Sequence, residues 1–181
     1  MTIKVRPGLE LRTRGDAGEV FDVIDANRAY LRRWFSWVDG ATSPASVKKT
    51  MTSWQKANEA GTELTLGIFL EGRYVGNIGM YDIKKTNNSA VIGYWLAEAD
   101  QGRGIMTDSV RAIVAHGFMT MGHNRISIHC AVDNVKSRAV ATRLGFDFEG
   151  VAKDGECING IYVDSAMYAI VKREWENRTN H

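Results

Sequence analysis

Along residues 64–121 the apolar positions change their spacing once, and the change falls on a pair of glycines. Leu64, Leu66, Ile68 and Leu70 alternate with other residues, as one half-buried strand does. Glu71-Gly72 reads as a tight turn, Arg73 to Asp82 as a second strand, and Lys84 to Asn88 as a polar loop. Ala90, Ile92, Tyr94 and Leu96 mark a third strand. Strands joined by connections this short pair antiparallel. After Gln101-Gly102-Arg103-Gly104 the period becomes helical: Met106, Val110, Ile113, Val114, Gly117, Phe118 and Met121 form one stripe. A strand, a tight turn and a long helix in immediate succession exclude both an all-β and an all-α fold.

The flanking segments extend this pattern. Leu9 to Arg14 reads as a first strand, and Val20, Phe21, Ile24 and Leu31 recur as one amphipathic helix. Ser43-Pro44 has the form of an N-cap followed by proline at the first helical position. That helix runs through Val47, Met51 and Trp54 and stops near Gly61. Ile126, Ile128 and Cys130 alternate as a strand. Val135 to Leu144 reads as a short helix ended by Gly145, a natural left-handed cap. Phe146 to Val151 and Ile161 to Val171 supply the last strands. The sum is about seven strands with flanking helices in a mixed α/β (α+β) arrangement. No repeat, low-complexity segment or linker divides it, so residues 1–181 are expected to form one domain.

Composition narrows the function classes. Hydrophobic residues make up 44% and charged residues 24%, which is globular rather than disordered. A formal charge of +2 argues against a broad nucleic-acid surface. Cys130 and Cys157 form no C-x-x-C pair, so no zinc or redox motif is present and no metal is expected. Met1 to Pro7 lacks the apolar core of a signal peptide, and no stretch approaches the ~18 apolar residues of a membrane span. A reduced, cytoplasmic compartment with no membrane partner is the expectation.

The glycine pair sits where an anion would bind. The first turn of a helix has backbone N–H groups without intrahelical partners, and the helix dipole adds roughly half a positive charge there. Glycines let the backbone approach a diphosphate closely, and Arg103 could add a charge-assisted contact. No Gly-Lys-Ser/Thr follows, so this is not a Walker loop. The third glycine of a dinucleotide fingerprint is also missing. From spacing alone, a plain strand-to-helix turn reads equally well.

Gln101-Gly102-Arg103-Gly104-Ile105-Met106 resembles the acyl-CoA motif of the GNAT acetyltransferases, with Gly104 as its middle glycine and Met106 in place of its final small residue. Ile92 to Ala97 resembles that family's fourth strand. Asp133 to Arg138 with Leu144-Gly145-Phe146 resembles its second cofactor motif. Asn27 to Trp34 is similar to the alanine- and serine-specific ribosomal-protein N-terminal acetyltransferases. The resemblance implies a GNAT fold: a mostly antiparallel twisted sheet, splayed between its fourth and fifth strands. Acetyl-CoA would be the co-substrate, its pantetheine arm lying in that gap against the backbone of Trp95 and Leu96. Gln101, Gly102, Arg103, Gly104, Ile105 and Met106 would face its diphosphate, with Asn134 and Ser137 beside it. A homodimer is also implied.

The resemblance further implies Glu156 as general base, directly or through a water, and Ser137 as acid to the departing thiolate. Read without it, Asn134 is an N-cap, Ser137 an ordinary first-turn serine and Glu156 a solvated loop charge. Burial is what strengthens a carboxylate base, whose ordinary value is about 4.3. Glu98, at the end of its strand, is the rival carboxylate. Cys130 is expected to pack, and His116, His123 and His129 to be structural. Arg32, Trp34 and Trp37, with Arg33, Phe35 and Asp39, lie in the segment that covers the acceptor in the family; the alternative for them is core packing plus a charged face.

A protein α-amine, with a pKa of about 7.7–8.0, is neutral near pH 7 far more often than a lysine at about 10.4. An N-terminal acceptor therefore asks least of a base, and the resemblance points to a ribosomal protein. Two other readings stand beside it: acetylation of a small amine such as a polyamine or aminoglycoside, and a non-catalytic CoA-binding protein.

Overall fold

The computed structural model describes residues 1–13 and 15–179, the last by its backbone alone. Its strands are β1 (Thr2–Arg6), β2 (Leu9–Arg12), β3 (Leu64–Leu70), β4 (Arg73–Lys84), β5 (Ser89–Leu96), β6 (Arg125–Ala131), β7 (Asp147–Ile158) and β8 (Ile161–Val171). The helices are α1 (Ala17–Ala26), α2 (Arg28–Leu31), α3 (Pro44–Ala60), α4 (Ile105–Met119), α5 (Val135–Arg143) and α6 (Lys172–Thr179). The strands form one open sheet in the order β1-β2-β3-β4-β5-β6-β8-β7. All neighbours are antiparallel except β5 and β6.

The sheet has eight strands rather than about seven, because Thr2–Arg6 pairs with Leu9–Arg12 as an edge hairpin. Only Ile3 and Val5 of β1 pack against the core, too short an alternation to read beforehand. β2 ends at Arg12, and the Arg14 included in the expected strand lies outside the described residues. The expected single helix from Val20 to Leu31 breaks at Asn27. The side-chain amide of Asn27 donates to the Val23 carbonyl at 2.8 Å, and its oxygen accepts the Glu98 N–H at 2.8 Å. That pair of bonds ends α1 and ties the break to the residue just past β5.

Helices cover both faces. On one face, Ile105, Val110, Ile113, Val114 and Phe118 of α4 pack against Ile78, Met80, Ile92, Ile126 and Ile128. Full burial of each such side chain stabilises by roughly 1.5–3 kcal/mol. On the other face, Val20, Ile24, Leu31 and Val47 pack on Phe69, Tyr74 and Trp95. Ile92 and Trp95 are three apart on one strand and therefore face opposite cores. α3 starts on a capping box, Ser43 accepting the Ser46 N–H at 3.2 Å, and ends at Gly61 with φ +65°. Among the described residues, no helix is long and apolar enough to cross a membrane.

The one parallel pairing shapes the site. β5 and β6 pair only from Ser89–Ile92 to Arg125–Ile128. Beyond Ile92, β5 stays paired with β4 through Leu96, while β6 stays paired with β8 through Ala131. The sheet therefore opens between them, at the gap expected between the fourth and fifth strands and shifted one number by β1. β7 runs to Ile158, well past the expected Val151, with a register break between Ala152 and Glu156. It turns into β8 at Asn159-Gly160, with φ values of +51° and +81°, the type I′ hairpin geometry that favours this dipeptide.

Candidate active site

The gap opens into a cavity of about 790 Å³, within the size range of small-molecule and cofactor sites. Ile92 to Leu96 of β5 form its floor. The start of α4 forms one wall, and Asn134, Lys136, Ser137 and Val140 of the α5 segment form the other. Tyr30, Trp34, Phe35 and Glu156 complete the lining. Past Ile92 the β6-facing edge of β5 has no strand partner, so an extended chain can add there.

Gly102 and Gly104 have φ values of +76° and +75°, the left-handed region that glycine adopts without a Cβ penalty. Gly104 is the N-cap of α4 and contributes no side-chain cap, which leaves the first-turn N–H groups open to an anion. Asp108 in that first turn would repel one, but two arginines hold it. Its carboxylate accepts from Arg6 Nε at 2.9 Å and from Arg111 at 2.9 Å.

Arg103, expected to face the diphosphate, is not among the residues lining the cavity: its guanidinium is 3.3 Å from Asp100, a buried carboxylate that Arg73 also grips at 2.8 and 3.1 Å. Lys136 is a cation that does line it. Its ammonium donates to Gln101 Oε1 at 2.7 Å and sits 5.7 Å from the Tyr30 ring centroid. Gln101 in turn donates to the Leu96 carbonyl at 3.3 Å. Arg143, at the end of α5, also lines the cavity. Ile105 and Met106 line it as anticipated.

Asn134 caps α5, its side-chain oxygen accepting the Ser137 N–H at 3.2 Å. The Ser137 hydroxyl donates to the Tyr94 phenol at 3.0 Å, and Tyr94 donates to the Ser137 carbonyl at 3.1 Å. Burial pushes the Tyr94 phenol far above its ordinary value, so it stays protonated. Cys130 is buried in the same wall. Burial raises its thiol above the ordinary value, and the nearby Ser137 hydroxyl opposes that shift.

Glu156, half-buried across the cavity, accepts a hydrogen bond from Ser165 at 3.0 Å. His129 also lines the cavity and faces Glu156. Partial burial holds its imidazole below the usual value, against the pull of Glu156. Glu98 reaches the cavity as well, held through its backbone N–H by Asn27.

On the acceptor side, Trp34 and Phe35 line the cavity, while Arg32 and Trp37 do not. Arg32 is paired with Asp39 through two contacts of 2.6 and 2.9 Å, both side chains remaining half exposed. Trp37 stacks on Phe35 at 5.7 Å and on Trp95 at 6.0 Å and backs the wall. The sequence assigns no site role to Tyr94 or Lys136, and His129, expected to be structural, lines the cavity. Tyr94 reads there as one more apolar strand position, and Lys136 lies two residues past a cap without a partner in view.

A family model for the acetyltransferase (GNAT) domain matches residues 8–147. The ribosomal-protein-serine acetyltransferase of Escherichia coli is 33% identical over 170 residues, covering 93% of this chain and 95% of that one. Among solved structures, RimL, a ribosomal alpha-N-protein acetyltransferase in complex with coenzyme A, superposes with a TM-score of 0.89 at 33% identity, covering 94% of this chain and 98% of that one. The microcin self-immunity acetyltransferase MccE, in complex with acetyl-CoA and AMP, superposes with a TM-score of 0.88 at 29% identity, covering 93% and 94%.

Proposed function

Since this chain belongs to the GNAT acetyltransferase family, we propose that it transfers acetyl from acetyl-CoA to the N-terminal α-amine of a protein, a ribosomal protein being the favoured acceptor. One observation carries the reading: the β5–β6 gap, the open first turn of α4, Ser137 and Glu156 share a single cavity. The chain acts as one acetyltransferase domain over residues 1–181, in the cytoplasm, as a homodimer.

The residues present fit the coenzyme. The amides opening α4, from Gly102 to Met106, would hold the diphosphate, with Lys136 as counter-charge. The unpaired edge of β5 at Trp95 and Leu96 would hold the pantetheine arm. Bound acetyl-CoA supplies an acyl carbon activated as a thioester. Glu156 would take a proton from the incoming ammonium, directly or through a water; as the nitrogen bonds the acyl carbon and the carbon–sulfur bond breaks, Ser137 would give its hydroxyl proton to the departing thiolate and regain one from the nitrogen, which loses it to become the amide. The walls hold amine and acyl group together, which removes much of the entropic barrier.

A small polyamine or aminoglycoside acceptor is the second reading. It is favoured by the carboxylates of Glu98 and Glu156 in the cavity and by the neutralisation of Arg32 on Asp39. Thiol release from acetyl-CoA, measured with free N-terminal peptides and with polyamines in competition, separates the two. Turnover of peptides alone supports the first reading; turnover of polyamines alone overturns it. Loss of N-terminal acetylation from a ribosomal protein in cells lacking the enzyme identifies the acceptor.

A further inference from the structure

Two walls of the cavity that are more than 120 residues apart in sequence are tied together at its acceptor end. The Asn159 side-chain amide donates to the Arg32 carbonyl at 2.7 Å. The Asn159 backbone N–H donates to Ser36 Oγ at 2.8 Å, and that hydroxyl donates back to the Cys157 carbonyl at 3.4 Å. These residues adjoin the lining directly: Phe35 precedes Ser36, and Glu156 precedes Cys157. The β7–β8 hairpin tip is therefore latched onto the segment between α2 and α3, closing one side of the space between Glu156 and the Trp34–Phe35 wall.

The latch depends on the backbone of the turn. Asn159 has φ +51° and Gly160 φ +81°. Asparagine tolerates that region and also carries the amide that reaches Arg32. Both Ser36 and Asn159 are exposed, so water competes for each of these bonds. The latch therefore holds the walls together but can open thermally.

We infer that Asn159 and Ser36 form a clasp that sets acceptor specificity, admitting an amine at the end of a slim chain and excluding one that carries bulk beside it. This rests on the amine-acetyltransferase reading above. The clasp touches no reacting atom; it fixes the width of the entrance and the distance of Glu156 from the aromatic wall.

The test uses the full chain as wild type, Asn159→Gly and Ser36→Ala. Glycine keeps the positive φ, so the hairpin still turns, and only the side-chain link to Arg32 is lost. Thiol release is measured with peptide amides whose first residue runs from Gly and Ser to Phe and Trp. Both substitutions are expected to raise the ratio of kcat/KM for bulky over slim peptides about tenfold. A ratio that stays put, or rates that fall equally for all peptides, overturns the specificity role. Amide hydrogen exchange at residues 157–161 gives a readout independent of turnover. Faster exchange in Ser36→Ala supports the clasp, and unchanged exchange in both variants overturns it. If wild type turns over none of the peptides, the N-terminal-amine reading fails, and the same ratio is read with slim and branched polyamines, where an unchanged ratio in both variants overturns the clasp.

Discussion

The hydroxyl of Ser137 lies 3.0 Å from the phenol oxygen of Tyr94, and the phenol proton is spent on the Ser137 carbonyl at 3.1 Å. Tyr94 therefore presents an acceptor to the serine and anchors the first turn of α5. In this geometry the serine proton points to the phenol, and Ser137 must rotate before it can serve a departing sulfur. Tyr94→Phe removes both bonds and is expected to destabilise by about 1–2 kcal/mol, or roughly 2–8 °C in Tm. Ser137→Ala is expected to lower kcat about a hundredfold with little change in Tm. Steady-state kinetics and thermal melts check the ranking; a larger kcat loss in Tyr94→Phe would make the phenol the acid.

Glu156→Gln keeps the size of the side chain and can still meet the Ser165 hydroxyl, but it cannot take a proton. The expected loss in kcat/KM is about 10²–10⁴-fold, with acetyl-CoA binding unaffected. The loss should shrink as the acceptor pKa falls, because an amine already neutral needs no base. A series of amines of graded pKa measures this slope. Equal losses across the series would remove Glu156 as the base.

Much of this arrangement is legible in the sequence, and the rest fails for local reasons. Gly102 and Gly104 stand out because a left-handed backbone demands glycine, and the change of period locates α4. β1 is missed because an edge strand with only Ile3 and Val5 inward carries little alternation. α6 is missed because its sequence is polar and Trp175 is the one buried residue among its described side chains. β7 reads too short because its residues beyond Val151 are mostly exposed and a register break interrupts their pairing. In the site, Ser137 and Glu156 come only from the resemblance to the family; spacing alone reads them as a first-turn serine and a solvated loop charge. The Asp100 that holds Arg103 is only three residues away, but its burial and its grip by Arg73 come from the tertiary fold, and the Asn159–Arg32 link joins residues 127 apart, so no local pattern reports either.

Acid should weaken the fold through the far end of α4. His123 is buried, and among the described residues its Nε2 has no hydrogen-bond partner. Burial holds it below the usual 6.5, and His116 beside it pushes it lower; burial also depresses His116. The unfolded chain binds protons near pH 6.5 that the folded chain refuses until lower pH. This contribution to stability is therefore present above pH 6.5 and is lost as pH falls below it. Urea midpoints at pH 7.5 and 5.5 should drop more steeply for wild type than for His123→Gln. Parallel drops would show that the imidazole contributes nothing.

The two cations flanking the start of α4 should separate cleanly on substitution. Lys136 lines the cavity and bonds Gln101 there, whereas Arg103 is turned onto Asp100 outside it. A surface ammonium facing a diphosphate contributes about 1 kcal/mol, or roughly fivefold in affinity. Lys136→Ala is therefore expected to raise the KM for acetyl-CoA about fivefold, with kcat held, and the effect should shrink as salt screens the charge. Arg103→Ala should leave that KM within about twofold, because Arg73 still satisfies Asp100 through both of its contacts. Calorimetric titration of coenzyme A into both variants at two salt concentrations checks the assignment. A larger loss at Arg103 than at Lys136 would mean that its guanidinium leaves Asp100 for the phosphates when the coenzyme binds.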